Sequence, residues 1–218
     1  MASSRLRSPT SAVGKTVGDE EGLRELHVEM RACHRCKEAG FPITPGAVIS
    51  GPASARLMIV GQAPGSTECE TGRPFNGPSG TRLFEWLAQA GWDERSFRTT
   101  HYMTAVTKCY PGRSPNGKGD RAPTRAEQKL CAPFLQRELA LVQPEIIVPV
   151  GSMAARHFLG SVRLSDVVGS VTEADGGRLI VPLPHPSGVN LWLNREENQE
   201  RVTLALEHLR RLRRQRGL

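Results

Sequence analysis

The chain has 218 residues and a net charge of +7, and it is 38% hydrophobic and 23% charged, which suits one domain of ordinary size with a buried core. No apolar run approaches the ~20 residues that span a bilayer, and the N-terminus lacks the apolar stretch of a secretory signal. We therefore expect a cytoplasmic protein without a membrane partner, whose five cysteines are ligands or free thiols rather than disulfides.

The positive charge is compatible with a polyanionic partner, but most of it lies at the two ends of the chain. Residues 201–218 hold six arginines and one glutamate, so they carry +5 of the +7. The first 18 residues hold three basic residues and no acidic one. Two solvated basic ends explain the charge as well as a nucleic-acid surface does.

Residues 1–18 are small, polar and basic, and are predicted to form a disordered tail before a single domain at 19–218. In chain order, the apolar periodicity and end signals predict a helix at 19–32, a strand at 56–61, a helix at 79–92, a strand at 102–108, a helix at 124–142, a strand at 145–151, a helix at 152–160, a strand at 178–183 and a helix at about 194–214. Pro133 is expected to kink or split the helix at 124–142.

Strands that alternate with helices indicate an α/β fold with a mainly parallel sheet between helical layers. Ligands bind beyond the carboxyl ends of the strands in such sheets. Each predicted strand is followed by an unusual loop, and in chain order these are GQAPGSTECETGRPFNG, KCYPGRSPNG, GS and PHPSGVN. The sequence therefore predicts one site that is built from four separate loops.

Four of the cysteines have a spacing typical of metal ligands. Cys33 and Cys36 form a C-x-x-C turn, Cys109 ends the second predicted strand, and Cys131 follows 22 residues later in a helix. Four thiolates can close a tetrahedral zinc site or hold an iron–sulphur cluster, and the spacing alone does not separate the two. Alternatively, the C-x-x-C is incidental and the others are small buried hydrophobic residues. Cys69 lies in a polar loop and is left out of the ligand set.

Six segments occur in a fixed order between about residues 30 and 195: RACHRC, ARLMIVGQAPGSTECETGRPFNGPSG, YMTAVTKCYPG, QKLCAPFL, VGSMAARHFLG and PHPSGVN. In order and spacing they resemble the iron–sulphur uracil-DNA glycosylases. The resemblance implies a three-layer α/β/α fold and removal of uracil from DNA. It also implies a 4Fe-4S cluster, with zinc as the alternative, on Cys33, Cys36, Cys109 and Cys131. We expect the protein to act as a monomer.

The chain departs from this family at positions that matter for chemistry. The family 4 enzymes that it resembles usually carry an acidic residue where this chain has Gln62, an Asp at Cys69, and a uracil-reading Asn at Ala105. In the second-strand and HPSxxN motifs the chain resembles family 5 better, so it looks like a mosaic or a separate branch. A third relative traps abasic DNA through a His, and residues 109–131 contain none, so that chemistry is not expected.

The resemblance also implies roles for single residues. His185 is placed to donate a hydrogen bond to uracil O2, for which a neutral imidazole suffices. Phe75 would stack on the flipped base. Gln62 has no titrating proton in the useful range, so it would orient water through its carbonyl or bind the base through its backbone. A loop histidine and a core aromatic residue are the plain alternatives for the first two.

The acidic residues Glu68 and Glu70 could polarise the water or stabilise the cationic sugar, or could be solvated loop acids. Ser187 and Asn190 would hold phosphates or the minor groove, unless they only form the turn. The predicted substrate-binding set is completed by Gly61, Ala63 and Asn76. Basic residues that suit phosphate contacts are Arg113, Lys118 and Arg121.

Three functions are weighed on these grounds. The first is a DNA-repair glycosylase that acts on uracil, with a relaxed base range because Ala105 has no hydrogen-bonding side chain. The second is a non-catalytic or weakly catalytic lesion-binding protein on the same scaffold, since Gln62 and Ala105 weaken the catalytic signature. The third is a redox or zinc protein that depends on the four cysteines, and the His185 loop disfavours it.

Overall fold

The computed structural model describes residues 17–117, 119–188 and 190–218. The predicted disorder of residues 1–16 concerns a segment outside these described residues. Residues 17 and 18, which the sequence places in the same tail, instead open the first helix. Asp19 and Glu20 lie in its first turn, where carboxylates interact favourably with the exposed N–H groups.

The described chain alternates strands with helices, as the sequence predicts. The helices are α1 Val17–Arg31, α2 Arg35–Glu38, α3 Ser66–Thr71, α4 Pro78–Gln89, α5 Glu94–Thr100, α6 Arg125–Val142, α7 Ser152–Leu159, α8 Leu164–Val167 and α9 Glu196–Arg216. The strands are β1 Leu57–Gly61, β2 Tyr102–Ala105, β3 Ile146–Pro149, β4 Thr172–Ala174 and β5 Arg178–Ile180. Short 3-10 helices lie at Asp175–Gly177 and Leu191–Asn194. None of these helices has the length and apolar character needed to cross a membrane.

The strands form one sheet in the order β2-β1-β3-β5-β4. The four predicted strands are parallel neighbours, so their carboxyl ends lie along one edge. β4 was not predicted; it pairs antiparallel with β5, and it has no apolar run because two of its three residues are exposed at the sheet edge. The α/β class with a mainly parallel sheet is therefore confirmed.

The sheet separates two apolar cores, because alternate residues of a strand point to opposite faces. Leu57 and Ile59 of β1 pack in one core with residues of α4, α5 and α9. Met58 and Val60 pack in the other with residues of α1, α6 and α7. This arrangement is the three-layer α/β/α sandwich that the resemblance implies.

Two local expectations differ from the structure. The helix α6 runs unbroken from Arg125 to Val142, so Pro133 does not split it. Cys131, Phe134 and Leu135 are buried on both sides of the proline, and their packing holds the two halves of the helix against the sheet. The predicted strand at 102–108 ends at Ala105, although the N–H groups of Val106 and Thr107 still donate to carbonyls at the end of β1.

Candidate functional site

A cavity of about 480 Å³ lies at the carboxyl ends of the parallel strands. Its walls come from the segments that follow β1, β2 and β5. The segment after β3 supports it from behind, because a Cβ on Gly151 would lie 3.4 Å from the Cβ of His185. The four loops that the sequence predicts to converge are thus brought together. Of the predicted site residues, the cavity is lined by Gly61, Gln62, Ala63, Glu68, Phe75, His185 and Ser187.

The end of β1 is joined to the end of β2 by backbone hydrogen bonds. The carbonyl oxygen of Gly61 accepts from the Val106 N–H at 2.9 Å. The carbonyl oxygen of Gln62 accepts from the N–H of Thr107 at 3.1 Å and from its hydroxyl at 3.4 Å. These bonds fix the Gln62 peptide at the cavity wall, while its role toward water or base stays a prediction.

Glu68 holds the loop after β1 in shape. Its Oε2 accepts from the Gly65 N–H at 3.1 Å, and its Oε1 accepts from the N–H groups of Asn76 and Gly77, each at 3.0 Å. Both carboxylate oxygens are therefore engaged with the backbone of the cavity wall. Glu70 is exposed on α3 and does not line the cavity. The chemical roles predicted for these two acids remain predictions.

Phe75 lies over the end of β1 in an unusual backbone conformation. Its φ is 51°, a left-handed value that non-glycine residues rarely adopt. Two hydrogen bonds of 2.8 Å from the Arg98 guanidinium, to the carbonyls of Pro74 and Phe75, hold this turn. A Cβ on Gly80 would lie 1.9 Å from the Phe75 carbonyl oxygen, so only glycine permits this approach. The ring faces the cavity, where a flat base could stack on it.

Asn76 is engaged with its own loop. Its amide lies 3.4 Å from the Thr71 hydroxyl, and it does not line the cavity. Asn190 shapes the His185 loop, since its Nδ2 donates to the His185 carbonyl at 2.8 Å and its Oδ1 accepts from the Trp192 N–H at 3.3 Å. The contacts with substrate and phosphate predicted for these residues stay predictions.

One ring nitrogen of His185 is hydrogen-bonded within its own loop. Its Nδ1 accepts a hydrogen bond from the Ser187 N–H at 3.3 Å, so the proton of the neutral ring lies on Nε2. Burial lowers the pKa of His185, and the nearby Glu68 carboxylate acts in the opposite direction. The ring therefore presents an Nε2–H donor at neutral pH.

Two residues that sequence reasoning did not select, Thr104 and Asp120, also line the cavity. Arg121, for which the sequence predicts phosphate contact, lines it as well. Arg121 donates through both terminal nitrogens to Glu127, at 2.7 and 2.5 Å, so its fork is occupied by that carboxylate. Asp120 accepts from the Tyr110 hydroxyl at 2.8 Å. Lys118 lies outside the described residues. The sequence signal for Asp120 as a cavity residue was its position in the loop between the last two predicted cysteine ligands.

A buried ion pair lies beneath the cavity wall. Lys108 and Glu138 have side chains that are 1% and 0% exposed, and their Nζ and Oε2 atoms are 2.5 Å apart. The Lys108 ammonium also donates to the Ala105 carbonyl at 2.5 Å and to the Thr104 hydroxyl at 2.8 Å. The hydroxyls of Tyr102 and Thr104 donate to Glu138 Oε1. The sequence signal was a lysine directly after an apolar strand and before Cys109.

The four predicted ligand cysteines line one second cavity. They come from the end of α1, from α2, from the segment after β2 and from α6. Burial raises the pKa of Cys36 to about 11 and that of Cys109 to about 12, with repulsion from the neighbouring thiols acting in the same direction. Burial also raises the pKa of Cys131. These thiols need a bound cation to ionise. Cys69 lies apart, on α3.

Zinc and iron–sulphur centres require different arrangements of these four thiols. Among the described residues, no three His, Cys, Asp or Glu side chains are placed to bind one metal ion together. A zinc site needs its four sulphurs about one point, at ~2.3 Å from the metal. A four-iron cluster takes each thiolate on a different iron, so its sulphurs lie farther apart. The four thiols line one cavity but are not arranged about a single point.

Comparison with known proteins places these features in a family. The model of the uracil-DNA glycosylase superfamily matches residues 48–210. The chain is 33% identical over 187 residues to a type-4 uracil-DNA glycosylase of Thermotoga maritima. The aligned region covers 85% of this chain and 91% of that protein. A type-4 enzyme of Archaeoglobus fulgidus is 32% identical over 78% of this chain and 83% of its own. A type-5 enzyme of Pyrobaculum aerophilum is 30% identical over 70% of this chain and 68% of that protein. The chain belongs to the uracil-DNA glycosylase superfamily.

Proposed function

We propose that this protein is a DNA-repair glycosylase that hydrolyses the N-glycosidic bond of uracil in DNA and leaves an abasic site. The observation that carries the proposal is the hydrogen bond from the Ser187 N–H to His185 Nδ1, which leaves Nε2 of the ring free to donate in a cavity that Phe75 also lines. This cavity lies at the edge of the sheet where α/β enzymes bind their ligands. The named relatives support the same substrate class.

The reaction needs the nucleotide to leave the base stack before the bond can break. The uracil would stack on Phe75, and the fixed Gln62 peptide would border it. As the bond between the base and C1′ breaks, negative charge develops on the uracil oxygens. His185 Nε2–H would donate to O2 and stabilise that charge, and a donor already in place contributes most when water is excluded. A water molecule then adds to C1′.

We infer that the four cysteines hold a 4Fe-4S cluster. Their convergence on one cavity supports this, as do their order and spacing in the chain. The cluster would tie the end of α1 and α2 to the sheet and to α6. Its contribution in this proposal is structural, and no step of the reaction passes through it.

The proposed partner is uracil-containing DNA, bound by a monomer in the cytoplasm. A reducing compartment suits five cysteines that form no disulfide with one another. Size-exclusion chromatography with light scattering tests the monomer, and binding that weakens steeply with added salt tests the phosphate contacts.

The direct test uses a labelled duplex with one uracil, and the same duplex with thymine. After incubation, alkali cleaves any abasic site, and the fragment is separated by size. We expect cleavage at uracil and none at thymine. Tight binding to the uracil duplex without any cleavage would contradict the glycosylase and favour the lesion-binding function. No binding and no cleavage would contradict both.

A further inference from the structure

Asp120 brings a carboxylate into the cavity from the loop between the last two cysteines. Its Oδ1 accepts from the Tyr110 hydroxyl at 2.8 Å. Among the described residues that line this cavity, the only carboxylates are Asp120 and Glu68. Glu68 uses both oxygens on three backbone N–H groups. Asp120 is thus the cavity carboxylate that is not committed to shaping the loop after β1.

The loop after β1 leaves room for this carboxylate. A Cβ on Gly65 would lie 3.2 Å from Asp120 Oδ2 and 2.7 Å from Glu68 Oε2. The glycine therefore lets the carboxylate approach the turn that begins at Gln62. Because Asp120 is exposed, it lies at the open side of the cavity. The sugar of a flipped nucleotide must also lie there, since it stays attached to the DNA backbone.

We propose that Asp120 is a catalytic carboxylate that stabilises the cationic sugar and accepts a proton from the attacking water. This inference rests on the proposed function and supplies what Gln62 lacks, because an amide has no titrating proton in the useful range. The C1′–N1 bond breaks and its electron pair leaves with uracil. The water oxygen bonds to C1′, one water proton passes to Asp120, and the leaving base recovers it through solvent. The products are uracil and an abasic sugar.

The negative charge of Asp120 should have different effects on the rate of excision and on DNA binding. A carboxylate at the cavity mouth repels the DNA phosphates in the ground state and attracts the sugar only when it becomes cationic. Its removal should therefore slow the reaction without weakening DNA binding. A residue that only supported the fold or the phosphates would lose both together.

The principal variants are Asp120→Asn and Asp120→Glu, with Asp166→Asn as the matched control. Asp166 is an exposed acid on α8 that pairs with Arg163 and does not line the cavity. In single-turnover excision of uracil, we expect Asp120→Asn to be slower by about 100-fold, the order for loss of a group in proton transfer. Asp120→Glu should recover part of the rate, and Asp166→Asn should match the wild type.

Binding is measured with a duplex that carries 2′-fluoro-2′-deoxyuridine, whose glycosidic bond resists cleavage. We expect Asp120→Asn to bind it as tightly as the wild type or more tightly. A second variant, Tyr110→Phe, removes only the hydroxyl that orients the carboxylate. It should slow excision about 10-fold by itself, and have no further effect in the Asp120→Asn background.

The outcomes separate this inference from the proposed function. If the wild type excises uracil and Asp120→Asn does so within about 2-fold, Asp120 is not catalytic although the glycosylase stands. Equal losses of rate and binding in Asp120→Asn would also overturn the inference. If the wild type leaves uracil in place, the proposed function fails first. Circular dichroism confirms that each variant is folded before its rate is used.

Discussion

The His185 residue illustrates how a loop selects the tautomer of an imidazole. The Ser187 N–H binds Nδ1, and burial lowers the pKa, so the ring is a neutral donor through Nε2. We predict that His185→Ala slows uracil excision at least ~100-fold, the order expected for loss of one oxyanion donor. Binding to DNA should change little. The measurement is single-turnover excision beside a filter-binding titration, and a rate within a few-fold of the wild type would remove His185 from the mechanism.

The same ring predicts a pH dependence. Because the pKa of His185 is lowered in the folded protein, the imidazole stays neutral as pH falls through the ordinary histidine range. Excision should therefore persist below the ordinary value of 6.5 and decline only at lower pH. The unfolded chain binds this proton at a higher pH than the folded protein does. The contribution of His185 therefore lowers the free energy of unfolding as pH falls below 6.5. Rates measured across this range would contradict the assignment if they fell with a midpoint at the ordinary value.

Ala105 determines the expected base range. It lines the cavity, and its methyl side chain has no hydrogen-bonding group with which to read a base edge. Sites that lack such a polar reader discriminate weakly between substrates. We predict excision of uracil first and of some related bases among hypoxanthine, xanthine and hydroxymethyluracil. Ala105→Asn should sharpen the preference for uracil. Excision of uracil alone under excess wild-type enzyme would show that the interpretation is wrong.

At the scale of elements, the Lys108–Glu138 pair joins β2 to α6 beneath the cavity. Removal of one partner leaves a buried charge without compensation, which typically costs ~3–5 kcal/mol. We predict that Lys108→Met lowers the free energy of unfolding by about that amount. The double variant that combines Lys108→Met with Glu138→Gln should recover part of this free energy, because glutamine keeps an acceptor for the Tyr102 and Thr104 hydroxyls without the charge. Urea denaturation measures both, and an unchanged midpoint in Lys108→Met would contradict the role given to the pair.

In the molecule as a whole, the proposed cluster would connect the N-terminal helices to the sheet, because the four cysteines line one cavity. We predict a brown protein with broad absorption at about 400 nm, as expected for a thiolate-bound iron–sulphur cluster. Cys109→Ser should lose the colour and lower the melting temperature, because the site ties together segments far apart in the chain. Cys69→Ser is the matched control and should keep both. Colourless protein with one zinc ion per chain would contradict the cluster.

Much of the fold could be predicted because burial imposes a local pattern. The apolar runs at 56–61 and 145–151 predict buried strands, and the structure has them at Leu57–Gly61 and Ile146–Pro149 with every residue buried. Because these strands are parallel, the loops that follow them meet at one edge of the sheet. The cysteines and the His185 loop were identified by residue type and order. The strands follow from neighbours within a few residues, and the cysteines and the His185 loop from residue types that are visible in the sequence without any tertiary contact.

The remaining features arise from contacts between segments that are distant in the chain, and no local pattern could have predicted them. β4 exists because β5 offers it hydrogen bonds, although its own residues are exposed. The helix α6 passes through Pro133 because its buried side chains hold both halves to the sheet. Asp120 enters the cavity only because the loop carries it opposite Gly65, 55 residues earlier. Such pairings depend on the free energy of contacts between segments that are distant in the chain, which a local residue pattern does not reveal.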